Sequence, residues 1–190
     1  MRFLPQQYYH LYNRGNNRLR IFLEEENYRF FLQRLCQHFD EKRVQIVAYC
    51  LMPNHYHILV YLQDEVDFSN VLRGFTTSYV RSFNRWHGRV GYLFQGNSQA
   101  KVIDRDPYLT HLCGYIHLNP VHAGLVARPE EWEYSDYREW ISAETSPISA
   151  ARRVREEYVG TGKDYEKYVG DFSGAEKMIV GIEEQLFGAH

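Results

Sequence analysis

The chain has 190 residues, 44% of them apolar and 24% charged, which suits one domain with a real core plus an appendage and excludes a disordered tail. No window approaches 18 uninterrupted apolar residues, and the N-terminal MRFLPQQYYHLYNRG lacks the apolar segment of a secretory leader, so a cytoplasmic protein without membrane contact is expected. The three cysteines (Cys36, Cys50, Cys113) form no C-x-x-C, which argues against a disulfide scaffold and an all-cysteine zinc site, and a net charge of −2 hides an asymmetry: Lys and Arg outnumber Asp and Glu 14 to 10 in residues 1–120 but fall behind 8 to 14 thereafter.

Gln7–Asn13 reads as a strand closed by the turn residues Asn13-Arg14-Gly15-Asn16. Glu24–Phe39 has helical spacing of Tyr28, Phe31, Leu32, Leu35 and Phe39. Val44–Leu51 and His55–Leu62 read as two strands of a hairpin broken at Pro53-Asn54. Asp67–Trp86 is a helix with Leu72, Thr76, Tyr79, Phe83 and Trp86 as its buried stripe and Arg81 and Arg85 on another side. Gln99–Ile103 is a short strand. Asp106-Pro107 opens a helix that should stop near Asn119, because Pro120 disfavours a helical residue before it.

The order β-α-β-β-α-β followed by a helix predicts an α+β fold: an antiparallel sheet of the split-βαβ type. The unit is expected over 1–145. Residues 146–190 form a helical, acidic appendage with segments at Ala151–Tyr158, Asp164–Val169 and Gly174–Phe187.

Residues 68–103 hold five cations (Arg73, Arg81, Arg85, Arg89, Lys101), no acid, and interleaved aromatics. Such a stretch suits single-stranded nucleic acid, with cations on phosphates and rings on bases. It equally suits a solvated helix face backed by core aromatics.

Two short motifs carry chemistry. In PNHYHILV (53–60), alternation along a strand puts His55 and His57 on one face, about 7 Å apart at the backbone, so that their rings can converge on one cation. A half-exposed, solvated pair is the plainer alternative. In GYIHLNP (114–120), Tyr115 and Asn119 share a helix face, while His117 projects to the opposite side. His111 lies on the same stripe one turn before Tyr115, where it could approach the site, although a structural or solvated role is the expectation.

Taken together, two neutral imidazoles and an amide oxygen would leave a divalent ion its full charge and open positions, which suits Mg²⁺ or Mn²⁺. A phenol beside a phosphate polarised by such an ion can attack phosphorus.

The sequence resembles the single-tyrosine transposases of the HUH nuclease class, and within them the REP-associated tyrosine transposases (REP, repetitive extragenic palindrome). The carriers are HLYNRGNN (10–17), AYCLMPNHYHILV (48–60), LFQGN (93–97), GYIHLNPVHAG (114–124) and WEYSDY (132–137). The resemblance implies a ferredoxin-like palm with helices on one face of the sheet. It implies His55 and His57 as metal ligands on a central strand, Asn119 as the third ligand, and Tyr115 as the nucleophile that takes a 5′-phosphate and frees a 3′-OH.

The implied substrate is single-stranded DNA at the foot of a hairpin, and the implied assembly a monomer or homodimer. The sequence departs from the family pattern at Gly114, His122 and Asn97, where basic residues are frequent, so it lacks cations that would contact phosphate.

Asn13, Arg14, Arg81, Arg85, Gln95 and Lys101 are the candidate DNA contacts, with a turn-stabilising role for Asn13 and Arg14 and a plain surface role for Gln95 and Lys101 as alternatives. Two other functions compete. One is a domesticated module that holds palindromic nucleic acid without cutting. The other is a zinc hydrolase using His55, His57 and a third histidine such as His111.

Overall fold

The computed structural model describes residues 2–103, 106–142 and 151–172. Strands β1 (Gln7–Arg14), β2 (Val44–Met52), β3 (His55–Leu62) and β4 (Gln99–Ile103) pair antiparallel in the order β2-β3-β1-β4. This is the sheet order of a ferredoxin-like fold, and it places β1 and β3 at the centre. The helices are α1 (Glu25–His38), α2 (Phe68–Trp86), α3 (Asp106–His122), α4 (Tyr137–Ile141), α5 (Ala151–Tyr158) and α6 (Gly162–Phe172). Among the described residues no helix is long and apolar enough to cross a membrane.

Side-chain alternation sorts the strands onto two faces. Tyr9 and Leu11 of β1 and Tyr56, Ile58 and Val60 of β3 pack with Phe31 and Leu35 of α1 and Phe75 and Tyr79 of α2. Ala48, Cys50 and Met52 of β2 and Leu59 of β3 pack on the other face with Leu112, Tyr115 and Ile116 of α3. Helices therefore cover both faces, not the single face expected. The reason lies in VQIVAYCLM: β2 is apolar on both sides, and each side requires a cover.

On α2 the stripe also differs, with Phe75 buried in place of Thr76, and Trp86, the last residue of the helix, 42% exposed against the edge of Phe30.

The appendage shares this second core. Val154, Tyr165 and Val169 pack with α3 and with Trp140 of α4. The buried Arg155 donates to the carbonyls of Trp140 and Ser142. The expected boundary at 145/146 and the helix expected at Gly174–Phe187 lie outside the described residues.

The helix expected to stop near Asn119 continues to His122, with Pro120 inside it. A proline in the last turn forfeits one intrahelical bond, and the end is set further on. Leu125 N–H donates to the Pro120 carbonyl (2.9 Å) and Gly124 N–H to the Val121 carbonyl (2.9 Å), with Gly124 at φ 66°. That is a Schellman cap, whose left-handed residue glycine adopts without strain. Asn119 thus stays in helical phase with Tyr115.

Candidate active site

Period-two alternation turns His55 and His57 away from the α1–α2 core and toward α3. The turn before them is anchored from the segment that follows β1. Gly15 N–H donates to the Asn54 carbonyl (2.8 Å), and the Ile21 and Phe22 N–H groups donate to the Pro53 carbonyl (2.8 and 3.1 Å). Position 15 must be glycine, since a Cβ there would meet the Leu19 carbonyl oxygen at 1.9 Å.

From the helix side, Tyr115 and Asn119 lie one turn apart on the face of α3 that meets the imidazoles. Asn119 Oδ1 is 3.2 Å from His55 Nε2. The Tyr115 ring stands edge-on to His57 with centroids 5.4 Å apart, and the His55 and His57 rings are 5.0 Å apart at 79°. Asn119 Nδ2 donates to the Tyr115 carbonyl (3.4 Å), which turns Oδ1 toward His55. All four residues singled out from the sequence for catalysis meet in one place. Tyr115 is 1% exposed, so a phosphate reaches its hydroxyl only after the side chains over it shift.

The donor set fits a cation. His55 Nδ1 lies 2.7 Å from Asn54 Oδ1, while Nε2 faces the Asn119 oxygen. A neutral imidazole carries one N–H, so it satisfies one oxygen and turns a lone pair toward the other. Protonation would satisfy both, but burial pushes His55 down to about 4, with Arg14 adding to the shift against the opposing Asn119 contact. His57 is held well below the usual histidine value by burial, then by His55 and His10. With the His55 N–H on Nδ1 donating to Asn54, Nε2 and the Asn119 oxygen are two lone-pair donors 3.2 Å apart, which matches the roughly 3 Å spacing of neighbouring ligands around an ion bound at about 2.1 Å.

Among the described residues no cluster of three His, Cys, Asp or Glu could hold a metal. His111 is turned away to Tyr168 of α6 (2.7 Å), so it is not the third histidine that the zinc alternative needs.

One close partner was not singled out from the sequence. His10 on β1 is 1% exposed, and its Nε2 lies 3.0 Å from His57 Nδ1. Its signal was positional: His10, Tyr12 and Arg14 alternate onto the face that β3 gives to His55 and His57. Burial pushes His10 down to about 3, with Lys101 contributing.

The candidate DNA contacts divide. Arg14 pairs in register with His55, and its guanidinium donates to Gln95 Oε1 (3.3 and 3.2 Å). Lys101 pairs with His10 on the same face, its ammonium 5.5 Å from the Tyr108 ring. Asn13 is 5% exposed and ties the strand end to the Gly96 carbonyl (3.1 Å). Arg81 and Arg85 are exposed on α2, which covers the opposite face of the sheet, and Arg81 lines a groove of about 270 Å³ with Thr77, Tyr92, Asn97 and Ser98. The basic stretch 68–103 is thus two surfaces.

His117 projects away from Tyr115, as its phase requires, into a buried contact with Asp136 (3.0 Å) and Tyr165 (2.6 Å).

Comparison with known proteins yields three findings. A family model described as "Transposase IS200 like" matches residues 4–119. A Haemophilus influenzae protein named as a REP-associated tyrosine transposase is 26% identical over 130 residues, covering 63% of this chain and 72% of its own. The solved structure of a REP-associated tyrosine transposase bound to a REP hairpin superposes with a TM-score of 0.61 at 19% identity, over 78% of this chain and 87% of that one.

Proposed function

This chain belongs to the IS200-like transposase family, and from that premise we propose that it is a metal-dependent endonuclease and strand transferase of single-stranded DNA, acting at REP-like hairpins in the cytoplasm. The observation that carries the reading is the convergence of two elements distant in sequence: the His55–Asn119 contact at 3.2 Å and the His57–Tyr115 ring contact at 5.4 Å. Hairpin DNA is suggested by the solved relative, which is bound to a REP hairpin. The site residues all come from one chain, so the reading requires no second copy.

His55, His57 and Asn119 would hold Mg²⁺ or Mn²⁺. Bound there, the ion would polarise a backbone phosphate and stabilise negative charge on the departing oxygen. Three neutral ligands leave that charge uncompensated for the substrate. Tyr115 supplies the nucleophile: its oxygen forms a bond to phosphorus as the bond from phosphorus to the 3′ oxygen breaks. The phenol loses its proton to solvent, and the departing oxygen takes one up. The products are a 5′-phosphotyrosine and a free 3′-OH. Attack by a 3′-OH on that linkage rejoins DNA and releases Tyr115. Arg14, pinned by Gln95 beside His55, would neutralise a neighbouring phosphate.

The test incubates the full chain with Mn²⁺ or Mg²⁺ and labelled single-stranded hairpins copied from palindromes of its own genome. A covalent protein–DNA adduct is expected on denaturing gels, and Tyr115→Phe should lose it while still binding the hairpin. Binding that survives His55→Ala and His57→Ala, with no adduct from the parent on any hairpin, would make the protein a palindrome-binding module instead.

A further inference from the structure

We infer that His10 is a positioning residue: by accepting the Nδ1–H of His57, it fixes the tautomer in which His57 Nε2 faces the cation site. The inference rests on the metal-site reading above.

The geometry follows from strand register. His57 lies opposite Tyr12 in the β1–β3 ladder, and His10 lies opposite Leu59, so His10 and His57 are diagonal neighbours on one face. Diagonal side chains in an antiparallel pair are within reach when they are long or aromatic. The two ring planes lie 23° from parallel with centroids 5.1 Å apart, and their facing nitrogens are 3.0 Å apart. Tyr12 lies 5.2 Å from His10 on the same face. The strands are the two central ones and both rings are enclosed, at 1% and 0% exposure, so neither can swing to another partner without opening the sheet face.

One proton lies between those two nitrogens, and it has two positions. On His10 Nε2, it forces the neutral His57 to carry its own proton on Nε2, the atom that would ligate. On His57 Nδ1, it leaves a lone pair on Nε2 for the cation, and His10 Nε2 acts as acceptor. Only the second arrangement is compatible with a bound ion. Ligating histidines commonly donate their other N–H to a carboxylate, a carbonyl or water. A carboxylate here would put a negative charge under a site that takes in a polyanion. An imidazole supplies the acceptor with no charge, and its rigid ring fixes the orientation of its neighbour.

Three measurements on the full-length protein decide the inference. In metal-free histidine-¹⁵N-labelled protein, long-range ¹H–¹⁵N spectra should show His57 protonated on Nδ1 and bare on Nε2; a proton on Nε2 overturns it. His10→Phe should weaken Mn²⁺ binding 10- to 100-fold, read from the free-ion spin-resonance signal, with hairpin binding in the absence of metal unchanged. His10→Gln, which restores an acceptor, should recover part of the loss. Parent-like Mn²⁺ affinity in His10→Phe overturns the inference and leaves the metal site standing. A parent that binds Mn²⁺ no better than the His55→Ala/His57→Ala double variant overturns the metal site itself, and with it the inference. Should His10→Phe fail to fold, the tautomer in the parent and the affinity of His10→Gln still decide.

Discussion

Helix α3 lies between two buried histidines, His57 of β3 on one side and its own His117 on the other, and their partners differ in one respect that separates a structural tie from a reactive site. His57 and His117 are both fully enclosed, and each meets a tyrosine edge-on, at 5.4 Å for Tyr115 and 5.7 Å for Tyr165. On the His117 side the partner is a carboxylate. Asp136 Oδ1 takes the imidazole at 3.0 Å and the Tyr49 N–H at 2.6 Å, while Oδ2 accepts from Trp140 Nε1 at 3.3 Å. Tyr165 completes the ring's second nitrogen at 2.6 Å. This network joins β2, α3, α4 and α6. On the His57 side the hydrogen-bonding partners described above are neutral imidazoles and amides, with no carboxylate among them. A buried carboxylate commits an imidazole to an internal pair, whereas neutral neighbours leave lone pairs for a cation that must in turn attract phosphate.

The largest test of this contrast exchanges the tyrosines. Tyr115→Phe should eliminate the DNA adduct. Tyr165→Phe, on the opposite side of the same helix, should preserve it and cost about 1 kcal/mol in urea unfolding, the worth of one buried hydrogen bond. An adduct lost equally in both would erase the distinction between the two faces. Next in size, Asp136→Ala should destabilise the fold by about 3–5 kcal/mol, because it takes the carboxylate from a buried imidazole and from the buried Tyr49 N–H, while Trp140 Nε1 keeps the Val47 carbonyl (3.2 Å). His55→Ala, which removes a half-buried ring bonded only to side-chain amides among the contacts described above, should cost about 1 kcal/mol by the same measurement.

A pH titration sharpens the contrast further. The folded pKa values of His55 (about 4) and His10 (about 3) lie below the ordinary 6.5, so below that pH the unfolded chain binds protons that the folded chain does not. The urea midpoint of the metal-free protein should be insensitive to these groups above about pH 7. It should decline as the pH falls through 6.5 and keep declining toward the folded values of about 4 and about 3, with a shallower slope in His10→Phe. A midpoint level from pH 7 to pH 4.5 would mean that the imidazoles are not buried neutral.

The smallest expected effect concerns the two basic surfaces. If phosphate tracks the imidazole face, Arg14→Ala and Lys101→Ala should each lower the slope of log affinity against log salt for hairpin DNA by about 1, and Arg81→Ala and Arg85→Ala should leave it unchanged. The reverse pattern would move the DNA to the α2 face.

Much of this architecture was legible in the chain. The strands, the α1 and α2 helices, the hairpin at Pro53-Asn54 and the sheet type follow from periodicity and turn residues, because those patterns are local. The shared face of His55 and His57, and the opposite faces of Tyr115 and His117, follow from the two periods, 2 and 3.6, alone. Pro120 misled because its local penalty is one hydrogen bond, while the cap at Gly124 decides where the helix ends.

By itself the sequence determined which side chains share a face within each element, since that depends only on backbone period. The tertiary structure alone decided which faces meet. His10 reaches His57 through the pairing register of β1 with β3, and Asn119 reaches His55 through the docking of α3 on the second face of the sheet. Asp136 and Tyr165 reach His117 because the segment after α3 and helix α6 fold back over it. Such contacts span 47, 64, 19 and 48 residues of chain. No local pattern encodes them, because they depend on which apolar faces the whole chain must bury together.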